Sequence, residues 1–341
     1  MIRLEMAQFA LRRVLQLILV FFVVTFVAFA SLKLVGDPLF NLVGVISGIT
    51  EEQCEAVARG EFEDTFTSGG NIGDCALIQR AKAENHLDKG VPQRYGIWVI
   101  NMFRGDFGTS FVNGDEISDI IADRLPVSVR LIVLAQLIAL GIAVPWGVAA
   151  AYRANRGFDK VSTVGSFALL SVPNFALGVI LLYFFSLRWQ IFPSRYENHG
   201  WWSEFKALIL PAATLALGLA ATYQRLLRTD LITTLQEDFV HMARAKGLSD
   251  RHIMYRHALR PSLFSVVTVF GVNTGALIGG ALVVEQIYSI PGVGTELVEA
   301  VLRNDPPVVV ALIAVVAVGF VLVNFLVDLV YAYLDPRVRS A

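Results

Sequence analysis

Six blocks of this sequence stay apolar for roughly 20 residues or more, the length an α-helix needs to cross a bilayer. They fall at about Val14–Val35, Pro126–Tyr152, Val161–Leu187, Leu208–Leu227, Pro261–Val284 and Pro307–Tyr333. Inside hydrocarbon every backbone polar group has to bond within its own segment, so such blocks fold as helices. The expected fold class is therefore an all-α integral membrane protein with six transmembrane helices. Residues 1–35 hold the N-terminus and first span, 36–125 a polar domain, and 126–341 the core of five further spans. Ala28-Phe29-Ala30 looks like a signal-peptidase site, but the first block runs on past it and is longer than a signal core, which predicts an uncleaved span.

Charge sets the orientation. Lys and Arg collect at the N-terminus, in 153–160, in 225–260 and in the tail after Leu334, all on one side if the spans alternate. The positive-inside rule makes that side the cytoplasm, so both termini are expected inside. The 36–125 block, in which acidic residues outnumber basic ones, is then extracytoplasmic. Cys54 and Cys75 both lie in it, and an outward placement favours a Cys54–Cys75 disulfide over two free thiols. Helices are expected there over about 50–58 and 76–87. Pro92–Phe103 and Ile117–Leu125 are amphipathic and are expected along the membrane surface. Trp189, Trp201 and Trp202 mark an interfacial belt. Pro145 and Pro173 are expected to bend the spans that contain them. A net charge of −1 leaves no nucleic-acid footprint.

One charged stretch, Asp238–Pro261, lies between the fourth and fifth spans and is ordered like a bracket. Val240, Ala243 and Leu248 alternate with Arg244, Lys246 and Arg251 as on a surface helix. Gly247 suits a helix C-cap, Ser249 and Asp250 can cap a second helix, and Pro261 can open a third. Such a bracket, tethered to spans on both sides, can dock a soluble partner and pass movement to the membrane. Its candidate coupling residues are Asp238, His241, Ala243, Arg244, Ala245, Lys246 and Gly247. Spacing argues against a metal reading of His241, His252 and His257, because the last two are five positions apart, a poor match to one helical face, and no Cys or carboxylate pair completes a site. No GxxxxGK loop occurs, so the chain does not hydrolyse a nucleotide by that route. No paired catalytic residues are visible, and no enzymatic activity is expected.

Two further features stand out. Glu285–Gly294 is a tight loop expected on the outward side, with Pro291, Gly292 and Gly294 at the turn and the apolar Tyr288 and Ile290 on it. It either packs against the bundle or reaches towards substrate or a docking protein. Polar residues within the spans are few: Asn174, Asn273 and Thr274 are candidates to line a pathway, with Asn324 and Asp328 in the last span. Each can equally be glue between helices. Gly271, Gly275, Gly279 and Gly280 form small-residue rows that favour close helix packing, within the chain or across a subunit interface.

The bracket resembles the EAA loop of ATP-binding-cassette importer permeases, most closely the peptide/nickel branch of the "B" type. The residues that carry the resemblance are Asp238-Phe239-Val240, Ala243-Arg244-Ala245-Lys246-Gly247-Leu248 and Arg256-His257-Ala258-Leu259. Supporting stretches are Gly105-Asp106-Phe107-Gly108-Thr109-Ser110, Arg124-Leu125-Pro126, Glu285–Gly294 and Leu334-Asp335-Pro336-Arg337. His241 and Met242 stand where the general pattern has Glu and Ala, and Pro261 lies one place late. The 40–90 region looks like an enlargement of the first outer loop. The resemblance implies a type I importer permease of a bacterial or archaeal plasma membrane (the inner membrane where there are two). It implies a "C"-type permease partner, two ATPases that carry ATP and magnesium, and an extracytoplasmic solute-binding protein. No cofactor is expected on this chain. The implied cargo is a di- or oligopeptide; a nickel chelate or glutathione stays open within the class. An ion-gradient carrier or channel working alone stays open outside it.

Overall fold

The computed structural model describes residues 15–16, 18–30, 89–197 and 200–334. Cys54, Cys75 and the helices expected over 50–58 and 76–87 lie outside them. The described chain is helical, with one isolated antiparallel bridge between Thr109 and Glu116. In chain order the helices are α1 (Ile18–Ala30), α2 (Val91–Phe103), α3 (Ile117–Tyr152), α4 (Gly157–Ser171), α5 (Asn174–Leu181), α6 (Trp201–Thr234), α7 (Asp238–Ala245), α8 (Asp250–Ile287), α9 (Val293–Leu302) and α10 (Pro306–Leu334). Among the described residues, α3, α6, α8 and Pro306–Val327 of α10 are long and apolar enough to span a membrane. The pair α4 plus Asn174–Arg188 makes a fifth candidate, and α1 is apolar but is described only over Ile18–Ala30. Six spans are thus an expectation that reaches beyond the described residues.

Three boundaries differ from those read in the sequence. Ile117–Leu125 does not form a separate surface helix; it is the start of α3, which runs through Pro126. One missing N–H frees a single carbonyl, and a helix covered by neighbours tolerates that. The third block is not a bent span but a broken one, with α4 and Asn174–Arg188 meeting at 99°. Val172 (φ −88°, ψ 122°) and Pro173 (φ −58°, ψ 140°) are both extended. A residue before proline is pushed out of the helical region, and two extended residues in succession end a helix rather than kink it. Pro261 falls in the first turn of the α-helical winding that resumes at Leu259, as expected, but the chain is already helical from Asp250, so it opens no separate element. Ile253–Ala258 is wound as a π-helix just ahead of Pro261, where an α-helical ladder has to drop a bond in any case.

The contacts divide the chain into two compact units. The first comprises Met1–Val20, Arg124–Thr295 and Val318–Ala341. Its core lies between α3, α6 and α8, where Leu131, Leu215, Leu227, Leu231 and Tyr223 are buried. Small residues bring the helices close: Ala135, Ala139 and Ala143 on α3 share a face at every fourth position, and Ala212, Ala216 and Ala220 do so on α6. A Cβ at Gly147 of α3 would lie only 3.1 Å from the Leu227 side chain, so the two backbones meet there. Gly271 and Gly275 of α8 pack against Val327, Phe320 and Asn324 of α10, whereas Gly279 and Gly280 face open space. The glycine row therefore serves packing within the chain at one end and is uncovered at the other.

The second unit comprises Phe21–Asp123 and Glu296–Ala317. Phe21, Ala314 and Ala317 form its core with Trp98 and Met102. Asp305, buried at the start of α10, accepts hydrogen bonds from Ser110 Oγ (2.5 Å) and from the Phe111 N–H (3.1 Å). That carboxylate holds the Gly105–Ser110 turn in place.

Candidate functional site: the bracket between α6 and α8

The bracket is built on a small apolar foot. Val240 and Ala243 of α7 and Ile253 of α8 are buried together, with Leu235 packed against them. Positions 240 and 243 lie one turn apart, so α7 turns one face inward. Its other face is exposed and carries Asp238, His241, Arg244, Ala245 and Lys246 among Phe239 and Met242. Ala243, included among the coupling candidates, belongs to the buried foot and is not available for contact. Leu248 and Tyr255 extend the exposed apolar surface. Apolar side chains ringed by charge are the usual make-up of a protein-docking patch.

Gly247 ends α7 with φ +78°. Its N–H bonds the Arg244 carbonyl (2.9 Å) and the Leu248 N–H reaches back to the Ala243 carbonyl (3.3 Å). That pair of bonds is a Schellman cap, which needs a left-handed residue at Gly247. Ser249 then caps α8, its Oγ accepting from the His252 N–H at 3.4 Å. The Arg244–Asp250 pair, 3.6 Å apart and exposed, contributes little. The spacing argument against the histidines needs correction: the π-helical stretch brings the rings of His252 and His257 to 5.5 Å. Among the described residues no group of three or more metal ligands forms.

At the other end of α8 the loop to α9 is a buried knot rather than an exposed arm. Glu285 is buried; its Oε1 accepts from Ser128 Oγ (2.6 Å), and its Oε2 accepts from the N–H groups of Gly294 (2.8 Å) and Thr295 (3.1 Å). Ser128 Oγ in turn accepts from the Val293 N–H at 2.9 Å. A carboxylate on the first turn of a helix is a favourable placement. A Cβ at Gly292 or Gly294 collides with that carboxylate, and Pro291 completes the turn. Tyr288 and Ile290 are 3% and 1% exposed, so of the two readings of the loop these residues follow the packed one. Tyr288 donates to the Gly178 carbonyl (3.0 Å) and lies 2.9 Å from Thr214 Oγ1; burial pushes its phenol up to about 12.

Part of the polar set of the spans meets across helices. Thr274 accepts from Gln136 Nε2 (2.7 Å), and Gln136 Oε1 accepts from Tyr223 (3.0 Å), which also bonds Asn273. Asn324 bonds its own helix at Phe320. Asn174 is exposed at the first turn of α5. Sequence reasoning missed a second zip between α4 and α6. Arg228 bonds both carboxylate oxygens of Asp159, and Gln224 bonds Ser162 (3.2 Å) and Ser166 (2.6 Å). The signal was present: Asp159, Ser162 and Ser166 fall at i, i+3 and i+7 in an otherwise apolar block, opposite Gln224 and Arg228 at i, i+4.

The sequence profile of the binding-protein-dependent transport system inner membrane components matches residues 143–340, from α3 through the bracket and the Glu285 knot to the tail. The chain belongs to this family. The oligopeptide transport system permease protein AppB of Bacillus subtilis is 32% identical over 341 residues, covering 98% of this chain and 100% of AppB. The dipeptide transport system permease protein DppB of Lactococcus lactis is 35% identical over 254 residues, 74% of this chain and 82% of its own. The glutathione transport system permease protein GsiC of Pectobacterium atrosepticum is 33% identical over 272 residues, 80% and 87% of the two chains. The chain is a transport permease and not an enzyme, and it works with other subunits of a transporter. That sets aside a carrier acting alone.

Proposed function

We propose that this permease forms half of the translocation path of an ATP-driven importer of di- and oligopeptides. A second, "C"-type permease supplies the other half. Two cytoplasmic ATPases grip the paired brackets, and an extracytoplasmic solute-binding protein delivers the peptide. The orientation rests on the charge bias of the sequence, which assigns 153–160 and the loop over about 228–260 to the cytoplasm of a bacterial or archaeal cell. The observation that carries the reading is the bracket: an exposed apolar and charged face on a buried foot, leading without a break into a membrane-spanning helix. Closure of the ATPases on ATP draws the brackets together and rocks the spans between inward- and outward-open states.

The test is site-directed cross-linking in the assembled transporter. Met242→Cys and Tyr255→Cys should cross-link to an ATPase subunit, and Val272→Cys, in mid-span, should not. No cross-link from either bracket position overturns the docking role. Similarity to a glutathione permease supports glutathione as a second cargo. Excess glutathione suppressing labelled dipeptide uptake favours one site for both; no effect restricts the cargo to the other peptides.

A further inference from the structure

Arg225 of α6 is exposed, and its guanidinium carbon sits 5.2 Å from the centroid of the half-exposed Phe167 ring of α4. Among the described residues no carboxylate pairs with it. Its neighbour Arg228, one turn on, is occupied by Asp159. Phe167 lies eight residues beyond Asp159 on α4, so Arg225 is held against a ring about 12 Å further along that helix than the ion pair. A guanidinium stays charged at any depth. An intramembrane charge fronts a water-filled cavity or a partner, and it meets an anion there. Stacking on Phe167 covers one face of the guanidinium and leaves its N–H edge free for a planar, bidentate acceptor.

The rest of that side of α6 suits an extended ligand. Gly218, Thr222 and Arg225 recur at i, i+4 and i+7, one face of the helix. Asn174 stands over Gly218, its Oδ1 at 3.4 Å from where a Cβ would be. It begins α5 just past the break in the span, where the positive end of a helix is uncovered. Gly218 and Arg225 are about 10 Å apart along the axis, close to the length of two or three extended residues.

We infer that Arg225, braced by Phe167, is a carboxylate-binding group of the translocation path: it receives the C-terminal carboxylate of the transported peptide, while Asn174 takes main-chain amide groups of the same peptide. This rests on the peptide reading above. A carboxylate at the end of a short chain is the one anion common to every unmodified peptide, and it has the planar shape the free edge accepts.

The experiment uses the complete transporter reconstituted in liposomes, with a free-acid dipeptide and its C-terminal amide as probes. Wild type should prefer the acid. Arg225→Gln should raise KM for the acid about 10- to 100-fold, as loss of a charge-assisted bond does, and abolish the preference over the amide. Arg225→Lys should restore part of it, which keeps the proposal testable if the Gln variant fails to assemble. Arg156→Gln, an exposed cation outside this face, should leave both KM values unchanged. Equal loss for acid and amide overturns the inference and assigns Arg225 to a carboxylate of the second permease. Dependence of the Arg225→Gln defect on anionic lipid content, rather than on the peptide terminus, overturns it in favour of a phospholipid phosphate. Wild type transporting no peptide at all overturns the peptide reading itself, an outcome distinct from an indifferent Arg225→Gln.

Discussion

Gly247 offers the sharpest separation between backbone geometry and bulk. A Cβ there meets nothing within 4 Å, so a side chain has room. What it lacks is an easy backbone, because φ is +78°. Alanine in that conformation costs about 1–2 kcal/mol. Asparagine, which bonds locally when left-handed, costs less. Proline fixes φ near −65° and removes the N–H that bonds Arg244, so the cap cannot form; proline inside a helical hydrogen-bond pattern costs about 3 kcal/mol or more. If the docking-competent bracket is the capped one, a cost of 1–2 kcal/mol lowers its population about 5- to 30-fold. The assay is titration of the purified permease pair with its ATPase subunits, with peptide uptake in parallel. Affinity should fall in the order Gly, Asn, Ala, Pro, and uptake should be lost in the Pro variant while membrane insertion is kept. A Pro variant that binds and transports like wild type refutes the role of the cap. An Ala variant as damaged as Pro refutes the conformational argument, since it points to a clash with the partner instead.

Three further outcomes follow from buried contacts. Glu285→Ala strands Ser128 and the N–H groups of Gly294 and Thr295, and thermal unfolding in detergent should show a loss of about 3–5 kcal/mol. Asp159→Asn leaves Arg228 without its charge partner and should cost a similar amount, whereas Asp159→Asn combined with Arg228→Met should recover more than half of it in the same measurement. Gly271→Val should lower the Tm of the solubilised chain sharply because its Cβ collides with Val327, while Gly279→Val, facing open space, should stay within about 0.5 kcal/mol; equal effects at both positions would remove the packing role assigned to Gly271.

What the sequence made legible was local. Apolar block length located the long helices, and a glycine flanked by a helical pattern located the cap at Gly247, because a left-handed residue is a local demand. Ser249 capping α8 was legible for the same reason. The failures are all tertiary. Pro173 and Pro261 look alike in the sequence, yet one breaks a span and the other does not. The difference lies in the residues around each proline: Val172 is extended before Pro173, while a π-helical stretch precedes Pro261. Whether the Tyr288 loop packs or reaches out stayed open because the partners of Tyr288, Thr214 and Gly178, are 74 and 110 positions away. The role of Glu285 was not legible for the same reason, its serine partner lying 157 positions upstream. A pattern within one segment carries no information about partners at that range. Membership of a permease family narrows the role of the bracket, but it does not by itself expose the knot.

The continuity of α8 gives these separate sites a mechanical relation. At 38 residues it is about 57 Å long, and both of its ends are anchored. One end begins at the Ser249 cap beside Gly247 and packs Ile253 into the foot of the bracket. The other is bolted through Glu285 to Ser128 of α3 and to the first turn of α9. A helix anchored at both ends passes a displacement on except where its winding can change. The one place where this helix departs from α-geometry is Ile253–Ala258, between its capped start and the long α-helical part from Leu259. A π turn carries its bonds in a wider ring and can give up or regain a residue of register. Any movement imposed on the bracket therefore has two outlets, a change of winding at 253–258 or a shift of the whole helix against α6 and α3. The small side chains that line α3 and α6 favour the second, because close-packed alanine faces slide with little rotamer rearrangement.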